Sequence, residues 1–246
     1  MKYLKQILTL LWKAWIMLLA SILTLLIGVF WTFPLALSDR TFPLAYKGIR
    51  LWSILIFYGS GFRLEVENKK ELDKNQAYII SSNHHSYFDI LVLSILHKNH
   101  PIVFVGKAEL SKIPIFGMIY KRICIIVDRS NIRSRVNVYQ SAKEKINLGN
   151  SIVIFPEGGI PDDQELVLNR FKDGAFSIAI STQVPIALYA IKGLKEMLPE
   201  AWSQGYPGKV KVKLIDVIHT ENLSLKNKSE LKNLCYKKLY NELSSN

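Results

Sequence analysis

Cysteine is nearly missing from this sequence, with only Cys124 and Cys235 in 246 residues. One pair cannot build a multi-bridge framework, so a disulfide-stapled secreted scaffold is excluded. Both read as buried, reduced small hydrophobes, Cys124 inside the apolar run 123–127. Acidic residues are outnumbered, 20 against 32 basic, for a formal charge of +12. That excess points to anionic lipid, a phosphorylated substrate or nucleic acid. Zinc-ligand spacing, an RNP-like run and a clustered basic helix are all lacking, which makes nucleic acid the weakest of the three. Internal repeats and low-complexity segments are lacking too.

Charge is absent altogether from residue 14 to residue 37, and 14–33 is nearly all apolar. About 20 such residues at ~1.5 Å each reach roughly 30 Å, enough to span a bilayer core. With 49% hydrophobic residues, the chain reads as membrane-associated. A secretory signal competes, with Lys2, Lys5 and Lys13 as its basic region and Ala36-Leu37-Ser38 as a cleavage site, but the run is long for one. The same three lysines are balanced by Arg40, Lys47 and Arg50 beyond the run, the pattern of a tilted or re-entrant anchor with both ends in the cytosol. Pro43 starts a second helix over 44–58, where two cations sit among aromatic and apolar residues, suited to a membrane interface. Gly59-Ser60-Gly61 ends it. The division expected is 1–60 as a membrane-anchoring helical pair and 61–246 as one larger domain.

In that domain strands and helices alternate. Strands are expected at 62–67, 77–82, 101–105, 122–127, 151–155, 185–190 and 209–217. Helices are expected at 134–148, closed by Gly149, at 175–182, and from 229 onward with Leu231, Leu234, Cys235, Leu239 and Leu243 on a packing face. The fold class is α/β: a single domain on a mixed, mostly parallel sheet with flanking helices.

The most informative stretch is Ser81-Ser82-Asn83-His84-His85-Ser86-Tyr87-Phe88-Asp89. It joins a buried strand to an apolar run that Ser86 is placed to cap as a helix. In an open α/β sheet that edge is where ligands bind. His84 and Asp89 are five apart, so they meet only if His84 lies on the loop and Asp89 in the first helical turns. The carboxylate would then fix the imidazole tautomer and leave the other nitrogen as a base for a substrate hydroxyl. A satisfied turn histidine beside an N-terminal helix carboxylate explains the same residues.

Three further strand ends carry candidates. Lys107 follows 101–105. Val127-Asp128-Arg129-Ser130 brings a guanidinium, the group best shaped to grip phosphate. Pro156-Glu157-Gly158-Gly159 follows 151–155, where adjacent glycines let backbone approach an anion. Each alone reads as a surface lysine, a surface pair or an ordinary turn. Phe116, Met118, Ile119 and Tyr120 offer an apolar groove or, with greater weight, core.

Taken in order, these stretches resemble the lysophospholipid and glycerolipid acyltransferases related to the bacterial 1-acylglycerol-3-phosphate enzymes. Asn83-His84-x-x-x-x-Asp89 matches the first block (HX4D). Lys107-Ala108-Glu109-Leu110 with Ile113-Pro114-Ile115-Phe116-Gly117 leads to the second, ending Ile125-Ile126-Val127-Asp128-Arg129. Phe155-Pro156-Glu157-Gly158 is the third, followed by Phe171-Lys172-Asp173-Gly174-Ala175, and Val184-Pro185-Ile186 is similar to the fourth. Ile123 replaces a glycine of the second block, and Gly159-Ile160 replaces the Thr-Arg that usually continues the third.

The resemblance implies an O-acyltransferase of phospholipid biosynthesis at the cytoplasmic face of the membrane. It would move a fatty acyl group from acyl-CoA or acyl-carrier protein to lysophosphatidate, giving phosphatidate. His84 would be the base and Asp89 its orienting partner; Lys107, Arg129, Glu157 and Gly158 would bind substrate, with Arg170 or Lys172 replacing the missing arginine. No metal or held cofactor is implied, since the thioester is a co-substrate. Other readings stay open: an acceptor such as a lyso-aminolipid; a double-histidine acyltransferase using His85 as base; a metal at His84, His85 and Asp89; and a non-catalytic basic protein binding anionic lipid.

Overall fold

A computed structural model describes residues 2–68, 71–128, 130–161, 163 and 165–245. Its centre is a seven-stranded sheet in the order β1-β7-β6-β2-β5-β3-β4. The strands are β1 (Arg63–Val66), β2 (Ile79–Ser82), β3 (Ile102–Lys107), β4 (Cys124–Val127), β5 (Ser151–Val153), β6 (Ile186–Lys192) and β7 (Lys209–Ile218). Strands β6, β2, β5, β3 and β4 are mutually parallel. β7 pairs antiparallel to β6 with β1 parallel to it, which makes the sheet mixed.

β2 is buried at every position, because the sheet is covered on both faces. Ile80 faces a core with Leu91, Leu93, Ile102 and Val153. Ile79, its neighbour, faces the opposite core with Val103, Ile152, Ile186 and Leu188. This is the two-residue alternation of a strand read on both sides. The first face is covered by α1 (Lys2–Leu23), α3 (Phe42–Gly59), α4 (Phe88–Leu96) and the short α8 (Leu194–Met197). The second is covered by α6 (Ile132–Asn147), α7 (Gly174–Thr182) and α9 (Lys228–Ser244), whose Leu231, Cys235 and Leu239 point inward as their spacing required. Cys124 is only partly buried.

The N-terminal helix runs as α1, continues as a π-helix over Thr24–Thr32, and ends in one turn, α2 (Phe33–Leu35). Its 34 residues, Lys2–Leu35, are long and apolar enough to cross a membrane. Polar side chains nonetheless fasten α1 to the sheet domain. Trp12 Nε1 donates to Ser60 O at 2.9 Å, and Lys13 Nζ donates to Pro199 O and Ala201 O at 2.6 and 2.7 Å. α3 ends at Gly59, and packing is continuous across the turn that follows. Phe57 and Phe62 stack 5.6 Å apart, and Phe62 meets Phe88 of α4 at 5.3 Å. Truncating a fully buried phenylalanine such as Phe57 costs about 3–5 kcal/mol. Ile16 of α1 and Tyr46, Ile56 and Phe57 of α3 thus belong to the same core as the sheet residues.

Sequence spacing did not reveal α5 (Phe116–Ile123), which occupies part of the stretch expected as the β4 strand and is preceded by a 3-10 turn, Ala108–Lys112. Its Ile119 and Tyr120 are core, while Met118 is exposed.

Candidate active site

The carboxyl ends of β2, β5, β3 and β4 lie side by side on one edge, so the stretches singled out above converge as their strand-end positions required. β2 ends at Ser82, and Asn83 is clamped at once. Its Oδ1 accepts Ile191 N–H at 2.9 Å, and its Nδ2 donates to Ile191 O at 2.7 Å. This side chain mimics one more rung of the sheet and fixes where the loop leaves β2.

His84 follows, its ring held from two directions. Asp89 Oδ2 lies 3.0 Å from Nδ1, and the Phe155 ring stacks on the imidazole at 3.8 Å with an 11° interplanar angle. Nε2 takes no hydrogen bond from the described residues. Asp89 sits in the first turn of α4 and is fully buried. Its Oδ2 also accepts the His85 and Ser86 N–H groups at 2.8 and 2.9 Å, so one oxygen organises both the loop and the ring. Its Oδ1 is buried without a partner among the described residues. That leaves part of the carboxylate charge to stabilise an imidazolium when one forms. Ser86 Oγ accepts Phe88 N–H at 3.2 Å, but the N-cap position of α4 is held by Tyr87, which makes no side-chain capping bond.

Glu157 closes the arrangement from β5. Oε1 accepts His84 N–H and Oε2 accepts Asn169 N–H, each at 2.8 Å. Burial raises its carboxyl from an ordinary 4.5 to about 7; the two N–H donors oppose this, and nearby Asp89 adds to it. Glu157 thus holds the His84 and Asn169 backbone. Gly158 stands at φ +86°, a conformation suited to glycine. Its own N–H bonds Phe155 O at 3.0 Å and is spent in the turn. What Gly158 supplies is space: a Cβ there would stand 2.6 Å from Lys172 Nζ. The Lys172 ammonium therefore lies over this turn, and Lys107 ends β3 exposed on the same edge. Arg170 is exposed beside Lys172. Arg129 lies outside the described residues.

His85 is turned away from this role. Its Nδ1 is 3.3 Å from the Asn83 amide nitrogen, and its Nε2 is buried without a partner among the described residues. Burial also lowers its pKa, making it a poor carrier of protons at neutral pH. It borders an apolar groove of about 510 Å³ shared with Met17, Tyr87, Ile160 and Trp202. Among the described residues no group of His, Cys, Asp and Glu could hold a metal ion.

Sequence reasoning missed four contributors. Asn83 and Phe155 stood within the quoted blocks without an assigned role. Asn169 and Lys195, whose charge is felt at Glu157 and His85, carry no local signal at all.

Comparison with known proteins agrees with this geometry. A family model described as Acyltransferase matches residues 63–192. A probable 1-acyl-sn-glycerol-3-phosphate acyltransferase of Mycoplasma genitalium is 30% identical over 158 residues, 62% of this chain and 56% of that protein. A lyso-ornithine lipid O-acyltransferase of Rhizobium meliloti is 32% identical over 122 residues, 49% of this chain and 39% of that one. The matches thus span only about half of these relatives' own lengths. The crystal structure of the 1-acyl-sn-glycerophosphate acyltransferase from Thermotoga maritima superposes with a TM-score of 0.73 at 21% identity. It covers 99% of this chain and 96% of that one, which establishes the shared fold. With the family model covering more than half of its length, the chain belongs to the acyltransferase family; the first three blocks lie at the carboxyl edge of the sheet, whereas Val184-Pro185-Ile186 lies at the amino end of β6.

Proposed function

We propose that this protein transfers a fatty acyl group from a thioester donor, acyl-CoA or acyl-carrier protein, to the free hydroxyl of lysophosphatidate. The observation that carries this reading is the 3.0 Å contact of His84 Nδ1 with Asp89, which leaves Nε2 available at the ligand-binding edge of the sheet. Nε2 takes the acceptor's hydroxyl proton as its oxygen attacks the thioester carbonyl. The tetrahedral intermediate collapses, the C–S bond breaks, and the thiolate recovers the proton from His84. Asp89 keeps the tautomer and balances the imidazolium. Lys107 and Lys172 meet the phosphate, joined by Arg170 and by Arg129, whose role rests on its place in the second block. The relatives named for 1-acyl-sn-glycerol-3-phosphate support this acceptor.

The reaction takes place at the cytoplasmic face of the membrane. Supporting this, the N-terminal helix does not project from the domain but lies along it. It is docked through Trp12 and Lys13 and again where Gly28 meets Ile119, with Ile7, Leu11, Leu18, Leu26 and Phe30 exposed. A helix with one face docked and the other apolar suits an anchor lying within one leaflet.

A second reading has its own observation. Ile160 makes the wall beside His85 apolar, which suits an acceptor bearing more hydrocarbon and no phosphate, such as a lyso-aminolipid. The lyso-ornithine relative agrees with it. The test is incubation of the purified protein with labelled acyl-CoA and a panel of lysolipids, with product identification. Phosphatidate supports the first reading; an acylated aminolipid with lysophosphatidate inert supports the second. No acylated product from any acceptor overturns both.

A further inference from the structure

The segment joining β3 to β4 is oddly built for a surface crossover. Phe116 N–H bonds Pro114 O at 2.6 Å across Ile115, which stands at φ 62° and ψ −61°. That is a γ-turn of the rare positive-φ kind, strained for any residue and more so for a β-branched one. The strain lifts apolar groups into solvent: Ile113 is 45% and Ile115 53% exposed. α5 then continues with two faces. Ile119 and Tyr120 enter the domain, while Met118, Lys121 and Arg122 look outward.

The tip is held firmly. A Cβ at Gly117 would run into the Ser111 carbonyl, and one at Gly28 of the π-helix would come within 2.8 Å of Ile119 Cδ1. α5 is therefore fastened both to its own preceding turn and to the N-terminal helix. Phe33 of that helix, Ile113, Ile115, Met118, Lys121 and Arg122 border one shallow groove. The exposed apolar face of the N-terminal helix thus continues onto this tip, and cations stand at its rim.

We propose that residues 112–122 form a second seat on an anionic phospholipid bilayer. Ile113 and Ile115 enter the acyl region, and Lys112, Lys121 and Arg122 lie at the lipid phosphates. Two arguments select a bilayer as occupant: the apolar surface is continuous with the N-terminal helix, and the charged residues bordering the groove, Lys121 and Arg122, are both basic. Apolar tips with basic rims are how interfacial elements hold to such surfaces, and each basic side chain near an anionic surface is worth about fivefold in binding. Because the tip lies just beyond the carboxyl end of β3, two seats fix the tilt of the domain and turn the edge bearing His84 toward the lipid. A single helix would leave it free to roll.

The inference rests on the reading that the N-terminal helix lies in the membrane, and its test separates the two. The full chain, with Cys124 and Cys235 replaced by alanine, is labelled with an environment-sensitive fluorophore at Ile115→Cys, Ile113→Cys, Phe30→Cys or Asn75→Cys. It is placed in nanodiscs containing phosphatidylglycerol, and lipids brominated in their acyl chains are the quencher. Position 113 repeats the readout without touching the strained residue, and Asn75, exposed before β2, is the control. The labels at 113, 115 and 30 should lose most of their emission while that at 75 keeps it. Lys121→Glu with Arg122→Glu should restore emission at 113 and 115 only. Quenching at 30 without quenching at 113 and 115 overturns the second seat alone. Absence of quenching at all three overturns the anchor as well.

Discussion

Where β2 and β5 end, three polar side chains tie down the loop bearing His84 and its surroundings. Asn83 is tied to Ile191, Glu157 to His84 and Asn169, and Asp89 to three donors of the loop. Where β3 ends, a few ångströms along the same edge, Lys107 stands exposed, and the crossover that follows is strained. The difference teaches a division of labour. Proton transfer demands a base placed before the substrate arrives, which on the proposed mechanism the wired half would supply. Gripping a phosphate needs only charge within reach, which on the same reading the exposed cations would provide.

The contrast breaks most visibly at the base. His84→Ala should lower kcat about 10²–10⁴-fold, the usual worth of a general base, with the acceptor KM little changed. Asp89→Asn should approach the same loss. Turnover of lysophosphatidate under saturating donor checks both, and an active His84→Ala enzyme would remove the wired half's purpose.

Next in size is Glu157, whose folded carboxyl titrates at about 7 against an ordinary 4.5. A raised carboxylate binds its proton more tightly in the folded state. Its contribution, up to about 3 kcal/mol, is full below pH 4.5 and is lost as pH rises through 7. Melting temperature in detergent should fall between pH 5 and 8 for the wild type, and Glu157→Gln should flatten that fall. A wild-type profile already flat would mean the two backbone donors, not burial, govern this group.

The two lysines flanking this edge should answer through binding. Lys172→Ala should raise the acceptor KM roughly 10–100-fold with kcat retained, as for loss of a charged hydrogen bond felt equally in ground and transition states. Lys107→Ala should do the same to a smaller extent, since no turn positions it. If either change lowers kcat instead, that lysine stabilises the developing oxyanion and belongs with the wired half. The smallest effect is expected at His85→Ala, under about tenfold in kcat, because its ring faces Asn83 and an apolar groove and not the base. Inactivity there would revive the double-histidine reading.

Much of this was legible before any coordinates. All seven strands lay in runs of β-branched and apolar residues, and the mixed sheet followed from their alternation with amphipathic helices. The His84–Asp89 pairing followed from five-residue spacing across a loop-helix junction, which only one local geometry satisfies. α5 escaped because its eight residues are too short for periodicity and run directly into β4. Asn83, Asn169 and Lys195 escaped for a different reason. Asn83 meets Ile191 108 residues away and Asn169 meets Glu157 across a 12-residue loop, and no local pattern encodes a contact that tertiary packing creates. The role of Gly158 was read as anion binding because a glycine turn suggests free N–H groups, whereas the turn itself consumes its hydrogen.

The Asn83 clamp also has a consequence in time. Its partner, Ile191, lies 108 residues downstream. At about 5–20 residues per second, a ribosome needs roughly 5–20 s to supply that partner after Asn83 has been made. Throughout that interval the N-terminal helix, being first out, is already free to meet a lipid surface, while the loop bearing His84 lacks the contact that sets its exit from β2. On the proposed reading, attachment would therefore precede competence during synthesis. A chain halted anywhere before β6 would be a lipid-bound protein with every residue of the dyad in its sequence and no base in position.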